Sequence, residues 1–230
     1  MFKDKLSLIL KILLVPAALF LLLSIRFYAD NREFSNFTRQ MFQNEVAGNT
    51  LNLHYTLSDP AAFGIEDYQI TLGSADVESL NAGIAVLENY RETLNGISCK
   101  DLSKNNKLTY DILSMYLENQ AEGKDFLLYA EPLGPTIGTQ AQLPVLLAEY
   151  TFSDTEDIKE YLTLISQMDT YYASIMDFEK AKSQAGLFMS DQAADNIISQ
   201  CSSFIGSEEN FLIPIFEEKV DDHCRYIGKP

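Results

Sequence analysis

Between residues 12 and 25 the chain reads ILLVPAALFLLLSI, fourteen residues without a charge. A helix this apolar on every face needs cover all round, which a small globular core rarely supplies and a bilayer always does. If Lys11 snorkels, the run extends back through residues 6–10 to span 6–25, about the 20 residues a hydrocarbon core requires. A transmembrane helix is therefore expected here, and a buried core helix is the weakest reading. A cleaved secretory signal shows the same basic start and apolar middle, and would leave the rest of the chain secreted. Its cleavage site wants small side chains, whereas Phe27-Tyr28-Ala29 offers a phenylalanine at the third position back. That favours an uncleaved signal anchor. No cysteine stands just after the run, so a lipid-modified terminus is not indicated. Lys3 and Lys5 precede the span, and the positive-inside rule then places the N-terminus in the cytoplasm and the remainder outside.

Charge sharpens the division. Residues 1–26 hold four basic groups and one acid, leaving thirteen basic against thirty-two acidic residues in the rest of a chain whose net charge is −16. An acidic body excludes nucleic acid as a partner, because phosphate backbones are held by clustered lysine and arginine. Segment 1–29 is thus read as the membrane segment and 30–230 as one helical domain. The fold class expected is all-α, a multi-helix domain with at most a short extended hairpin, behind the N-terminal transmembrane helix.

Periodicity supports this. Val77, Leu80, Ile84, Leu87 and Leu94, with Tyr90 between, predict a helix ending near Gly96. Leu108, Ile112 and Tyr116 with Leu113 and Leu117 predict a second. Ser153-Asp154-Thr155-Glu156 has the spacing of a capping box, with Ser153 and Glu156 as its pair, ahead of a long stripe from Ile158 to about Lys182 that Gly186 ends. Ser190 is placed to cap a helix that turns Ala193, Ile197, Ile198, Cys201, Phe204 and Ile205 inward. A last helix is expected from about Glu208, with Pro214 near its start. Residues 51–57 alternate as a half-buried strand does, and Phe126–Tyr129 is a second extended candidate. The three cysteines make no disulfide scaffold or zinc knuckle; Cys201 and Cys224 are able to pair, but all three fit best as small buried side chains.

Chemistry is sparse. His54 and His223 are the only histidines, and neither stands in a metal-binding helical pair. Asp222, His223 and Cys224 read as a solvated helix end rather than a metal site, and His54 as a hydrogen-bonded histidine on a strand. There is no nucleophile elbow, phosphate-binding glycine loop or dinucleotide fingerprint. Glu149 and Glu179 sit in apolar stretches where burial would raise a carboxyl pKa, although most glutamates so placed are exposed on the other side of the helix. The segment from Glu131 to Pro144 holds two glycines and three prolines, a shaped loop leading into a helix over residues 143–150. A backbone so fixed can present preorganised polar groups, so Thr139, Gln140 and Gln142, with Glu149 two helical turns on, are the expected ligand-binding residues. No catalytic residue, metal ligand or cofactor is assigned.

Three sets of residues carry a resemblance. Leu53-His54-Tyr55-Thr56-Leu57 is followed by Asp59-Pro60 and Phe63-Gly64-Ile65. Gln142-Leu143-Pro144 is followed by Leu147-Ala148-Glu149-Tyr150, and Lys182-Ser183 by Gly186-Leu187-Phe188-Met189. Together, over roughly residues 34–220, they resemble the N-terminal half of a bacterial family catalogued as domain of unknown function 885. The resemblance implies likeness to helical zinc metallopeptidases with a long cleft between two helical halves. It also implies members more than twice this length, whose zinc-binding helix carries a His-Glu pair beyond the matched region. This sequence has no His-Glu dipeptide. The expectation is a membrane-anchored, extracytoplasmic, non-catalytic half forming one wall of a peptide-binding cleft, with zinc only if a C-terminal half supplies its ligands. The alternative is a membrane-tethered interaction or sensing module without enzymatic activity.

Overall fold

The computed structural model describes residues 2–207 and 210–227; in the first helix it describes the side chains of residue 14 and from 16 onward, and in the last those up to 225. Among the described residues the chain is all-helical: α1 (Phe2–Ala47), α2 (Thr50–Thr56), α3 (Val77–Gly96), α4 (Lys104–Glu122), α5 (Thr139–Glu149), α6 (Thr155–Ser166), α7 (Met168–Gln184), α8 (Asp191–Ile205) and α9 (Leu212–Ile227). Short 3₁₀ turns at Ala61–Phe63, Cys99–Asp101 and Gly123–Tyr129 join them. No helix among the described residues is long and apolar enough to cross a membrane. Of the span expected to do so, residues 6–13 and 15 have side chains outside the description. From residue 16 to residue 29 every side chain is exposed, and α1 continues through 29–30 without a break.

The chain divides into two compact units. One comprises Met1–Phe42 and Ile84–Glu122, that is, most of α1 and α3 with α4. Phe34, Phe37 and Met41 recur at helical spacing on α1 and pack with Leu94, Ile97, Leu102 and Leu117. Leu94 and Leu117 are wholly buried, each contributing on the order of 2 kcal/mol by removal from water. The α4 stripe turns only partly inward: Leu113 and Leu117 face the core, while Leu108, Ile112 and Tyr116 are exposed. A second ring of apolar residues on one helix exceeds what a three-helix core can cover.

The other unit comprises Gln43–Gly83 and Gly123–Pro230. Its main core gathers Leu51, Leu72, Leu143, Leu147, Tyr150, Tyr161 and Leu164, and a smaller one Val46, Leu53, Leu57 and Ile65. Several sequence expectations are corrected here. Residues 51–57 form not a strand but most of α2, where the Asn49 side chain caps the helix by accepting from the Asn52 amide at 3.1 Å. Leu53 and Leu57 then fall on one helical face, so over seven residues the same leucines satisfy either period. Phe126–Tyr129 belongs to the 3₁₀ turn Gly123–Tyr129. The long stripe is two helices, not one, broken at Gln167. The capping box at its start is Asp154 with Asp157, one residue on from the expected pair. Gly186, at a left-handed φ of 72°, ends α7 as anticipated, and Ser190 caps α8 by accepting from Ala193 N. Within α8, Ile197 is buried, but Ile198 and Ile205 point outward. Pro214 lies in the first turn of α9, and the expected start near Glu208 falls outside the described residues.

Candidate functional site

The Pro- and Gly-rich loop is held by its own backbone. Gly138 N donates to Gly134 O at 3.1 Å and Thr139 N to Pro132 O at 2.9 Å. A Cβ on Gly138 would lie 2.1 Å from Gly134 N, so only glycine allows the chain to close on itself here. Gln140 completes the closure. It is buried, and its Nε2 donates to Gly134 O at 2.7 Å and to Gln200 Oε1 at 2.9 Å, while Gln200 donates to Pro135 O at 2.7 Å. Gln140 therefore staples the loop to α8.

Thr139 and Gln142 turn the other way. With Asn49, Asn52, Tyr55, Leu51, Leu72, Leu143, Leu146 and Tyr171 they line a cavity of about 390 Å³. Its wall on α5 follows the i, i+3, i+4, i+7 positions 139, 142, 143 and 146. Glu149 is exposed one turn beyond, close enough to Tyr55 to reinforce the upward shift that burial gives that phenol. The structure thus brings Thr139 and Gln142 together, places Glu149 further along the same helix, and turns Gln140 away into the loop.

Tyr55, whose hydroxyl donates to Leu146 O at 2.6 Å, also borders a second, polar cavity of about 690 Å³. This one is lined by α2, the segment 57–60, Tyr68 and the start of α6, including Asp59, Asp154, Glu156, Asp157 and Glu160. At its buried edge Glu160 accepts from Tyr68 Oη at 2.5 Å and from Tyr150 Oη at 3.2 Å. Burial, then the Glu160 carboxylate, pushes both phenols far above their ordinary range. His54 stacks on Tyr150, with ring centroids 3.6 Å apart and planes 13° from parallel. Its Nε2 accepts the Thr151 amide at 3.2 Å and lies 3.0 Å from Thr151 Oγ1, an arrangement that needs the neutral ring with its proton on Nδ1. Burial holds the imidazole below its ordinary pKa, with Lys219 adding to that and Asp157 and Glu160 opposing it. His54 is hydrogen-bonded as the sequence suggested, on a helix instead of a strand. Tyr68 and Glu160 went unremarked in the sequence, and Tyr150 entered only with the family resemblance, because the three come from separate segments with no common motif.

Among the described residues no group of three or more His, Cys, Asp or Glu is arranged to hold a metal. Asp222 pairs with Arg225 at 3.2 Å, His223 is buried, and Cys224 is exposed. Cys99 and Cys201 are half-buried, and all three thiols are free, so neither the pairing nor burial of Cys224 is realised. No curated protein and no solved structure matches the chain. The model of one family, described as bacterial protein of unknown function (DUF885), matches residues 60–223, and the chain belongs to that family.

Proposed function

We propose that the protein is a membrane-anchored, extracytoplasmic peptide-binding domain, tethered by α1 and forming one wall of a cleft along α2 and α5. The observation that carries the binding reading is the pair of cavities adjoining at Tyr55. One offers the side-chain amides of Asn49, Asn52 and Gln142 beside Leu51, Leu143 and Leu146, which suits a peptide backbone and an apolar side chain. The other is acidic and suits the terminal ammonium of the same peptide. The metallopeptidase likeness that the resemblance implies favours this substrate class, and no chemical step is assigned to the residues present.

The anchor reading is supported by the side chains leaving unit one. Leu14, Leu19, Phe20, Leu21, Leu22, Leu23 and Ile25 are all more than half exposed among the described residues. Phe27 and Tyr28 follow, exposed aromatics at the level where a bilayer interface favours them.

The test is peptide binding by the full chain in neutral nanodiscs, followed by anisotropy of C-terminally labelled tetra-alanine and its leucine-containing analogues. Leucine should tighten binding, acetylating the peptide amine should weaken it, and Gln142→Ala should weaken it by about tenfold, the value of one or two hydrogen bonds. Binding without hydrolysis is expected of this chain alone. Affinity indifferent to all three changes would refute the proposed cleft.

A further inference from the structure

Lys100, in the turn from α3 into α4, and Lys104 and Lys107, in the first turn of α4, fall within eight residues of an otherwise acidic chain. That turn is fastened to α1 just beyond the apolar run. Asn31 Nδ2 donates to Asp101 O at 3.1 Å, and Asn31 Oδ1 accepts from Ser103 N at 2.8 Å and from Asn106 Nδ2 at 2.9 Å. Arg26 Nη2 pairs with Asp101 at 3.3 Å, and Leu102 is buried in the unit's core beside Phe34 and Phe37. The turn is therefore fixed at the height of residues 26–31, within about 9 Å along the helix axis of the last apolar residue, Ile25. Two of the nearby acids, Asp30 and Asp101, are already matched by Arg26. The three lysines have no carboxylate partner among the described residues, and Lys100 and Lys104 are exposed.

From this juxtaposition we infer that the α3–α4 turn is a lipid-headgroup collar, in which Lys100, Lys104 and Lys107 engage anionic phospholipids at the bilayer surface. The inference rests on the anchor reading and adds a lipid preference to it. Ordering runs outward along one rigid unit: apolar side chains to Ile25, aromatics at Phe27 and Tyr28, then cations at the distance of a headgroup layer. Ammonium groups so placed lie within about one Debye length of the lipid phosphates, where attraction survives physiological salt.

The full chain would be reconstituted in phosphatidylcholine vesicles and in vesicles of phosphatidylcholine mixed with phosphatidylglycerol, and amide hydrogen exchange read over residues 97–107. Exchange should slow by about fivefold or more in the anionic vesicles, and the difference should shrink as salt is raised. It should vanish in the K100E/K104E/K107E variant and be reduced in the corresponding triple glutamine variant, with both retaining the helical circular dichroism of the parent. A chain that floats with neutral vesicles but exchanges equally in both lipids overturns the collar alone. A chain that floats with neither overturns the anchor, and the collar with it.

Discussion

Glu160 and Glu179 are each more than nine-tenths buried, and their surroundings differ completely. Glu160 has a phenol on each oxygen, while among the described residues neither oxygen of Glu179 has a hydrogen-bond partner. Burial raises the Glu179 pKa, Glu131 adds to the rise, and Lys182 opposes it. A carboxyl whose folded pKa lies above its unfolded value favours the native state fully below the unfolded pKa and loses that contribution as pH rises through the folded one. Glu179→Gln should therefore leave stability nearly unchanged at pH 4 and raise it at pH 8, by about 1 kcal/mol, measured as a shift in urea midpoint. Equal effects at the two pH values would show that ionisation of Glu179 is not what costs the fold stability. The sequence did not separate Glu179 from Glu149; Ile175 and Phe178, buried at helical spacing beside Glu179, carry it inward with them. Glu149, in an equally apolar stretch, is exposed, since its own helix turns Leu143 and Leu147 inward instead. Nothing in the sequence joins Glu160 to Tyr68, which lies 92 positions away.

Gln167 marks where an element-level reading of one long helix fails. Its side chain leaves the α6–α7 junction to meet an extended segment, donating from Nε2 to Ile70 O at 3.0 Å and accepting from Leu72 N at 3.2 Å. One amide thus satisfies two main-chain groups that have no strand beside them, and the apolar stripe continues across the break because both helices pack on the same core. Periodicity reports a shared face and is blind to a kink that preserves it. Gln167→Ala should cost about 2 kcal/mol and speed amide exchange at Leu72, whereas a simple surface glutamine would cost almost nothing. Capping chemistry was legible to within one residue, since Asp154 and Asp157 present the same spacing as their neighbours Ser153 and Glu156.

At the scale of the whole molecule, the predominantly helical class and a few helix ends, such as those at Gly96, Gly186 and Ser190, were legible in the sequence, but the division into two units was not. Each unit takes residues from two separate stretches of chain, and α1 and α3 contribute to both, so no linker composition announces a boundary. Topology is the prediction that belongs here. With Lys3 and Lys5 ahead of the apolar run, protease added to intact cells should digest the part of the chain beyond residue 30, and the protein should resist extraction by carbonate. Protection until the cells are lysed would reverse the orientation. The continuity of α1 has a mechanical corollary. The helix that carries the apolar run also carries Phe34, Phe37 and Met41, with no hinge between them. In a bilayer it would act as an axle shared by lipid and protein: turning the apolar segment by one residue's angle, about 100°, would turn the core of the first unit through the same arc. Bilayer thickness, by setting how far that axle leans, would set the bearing of the first unit above the surface.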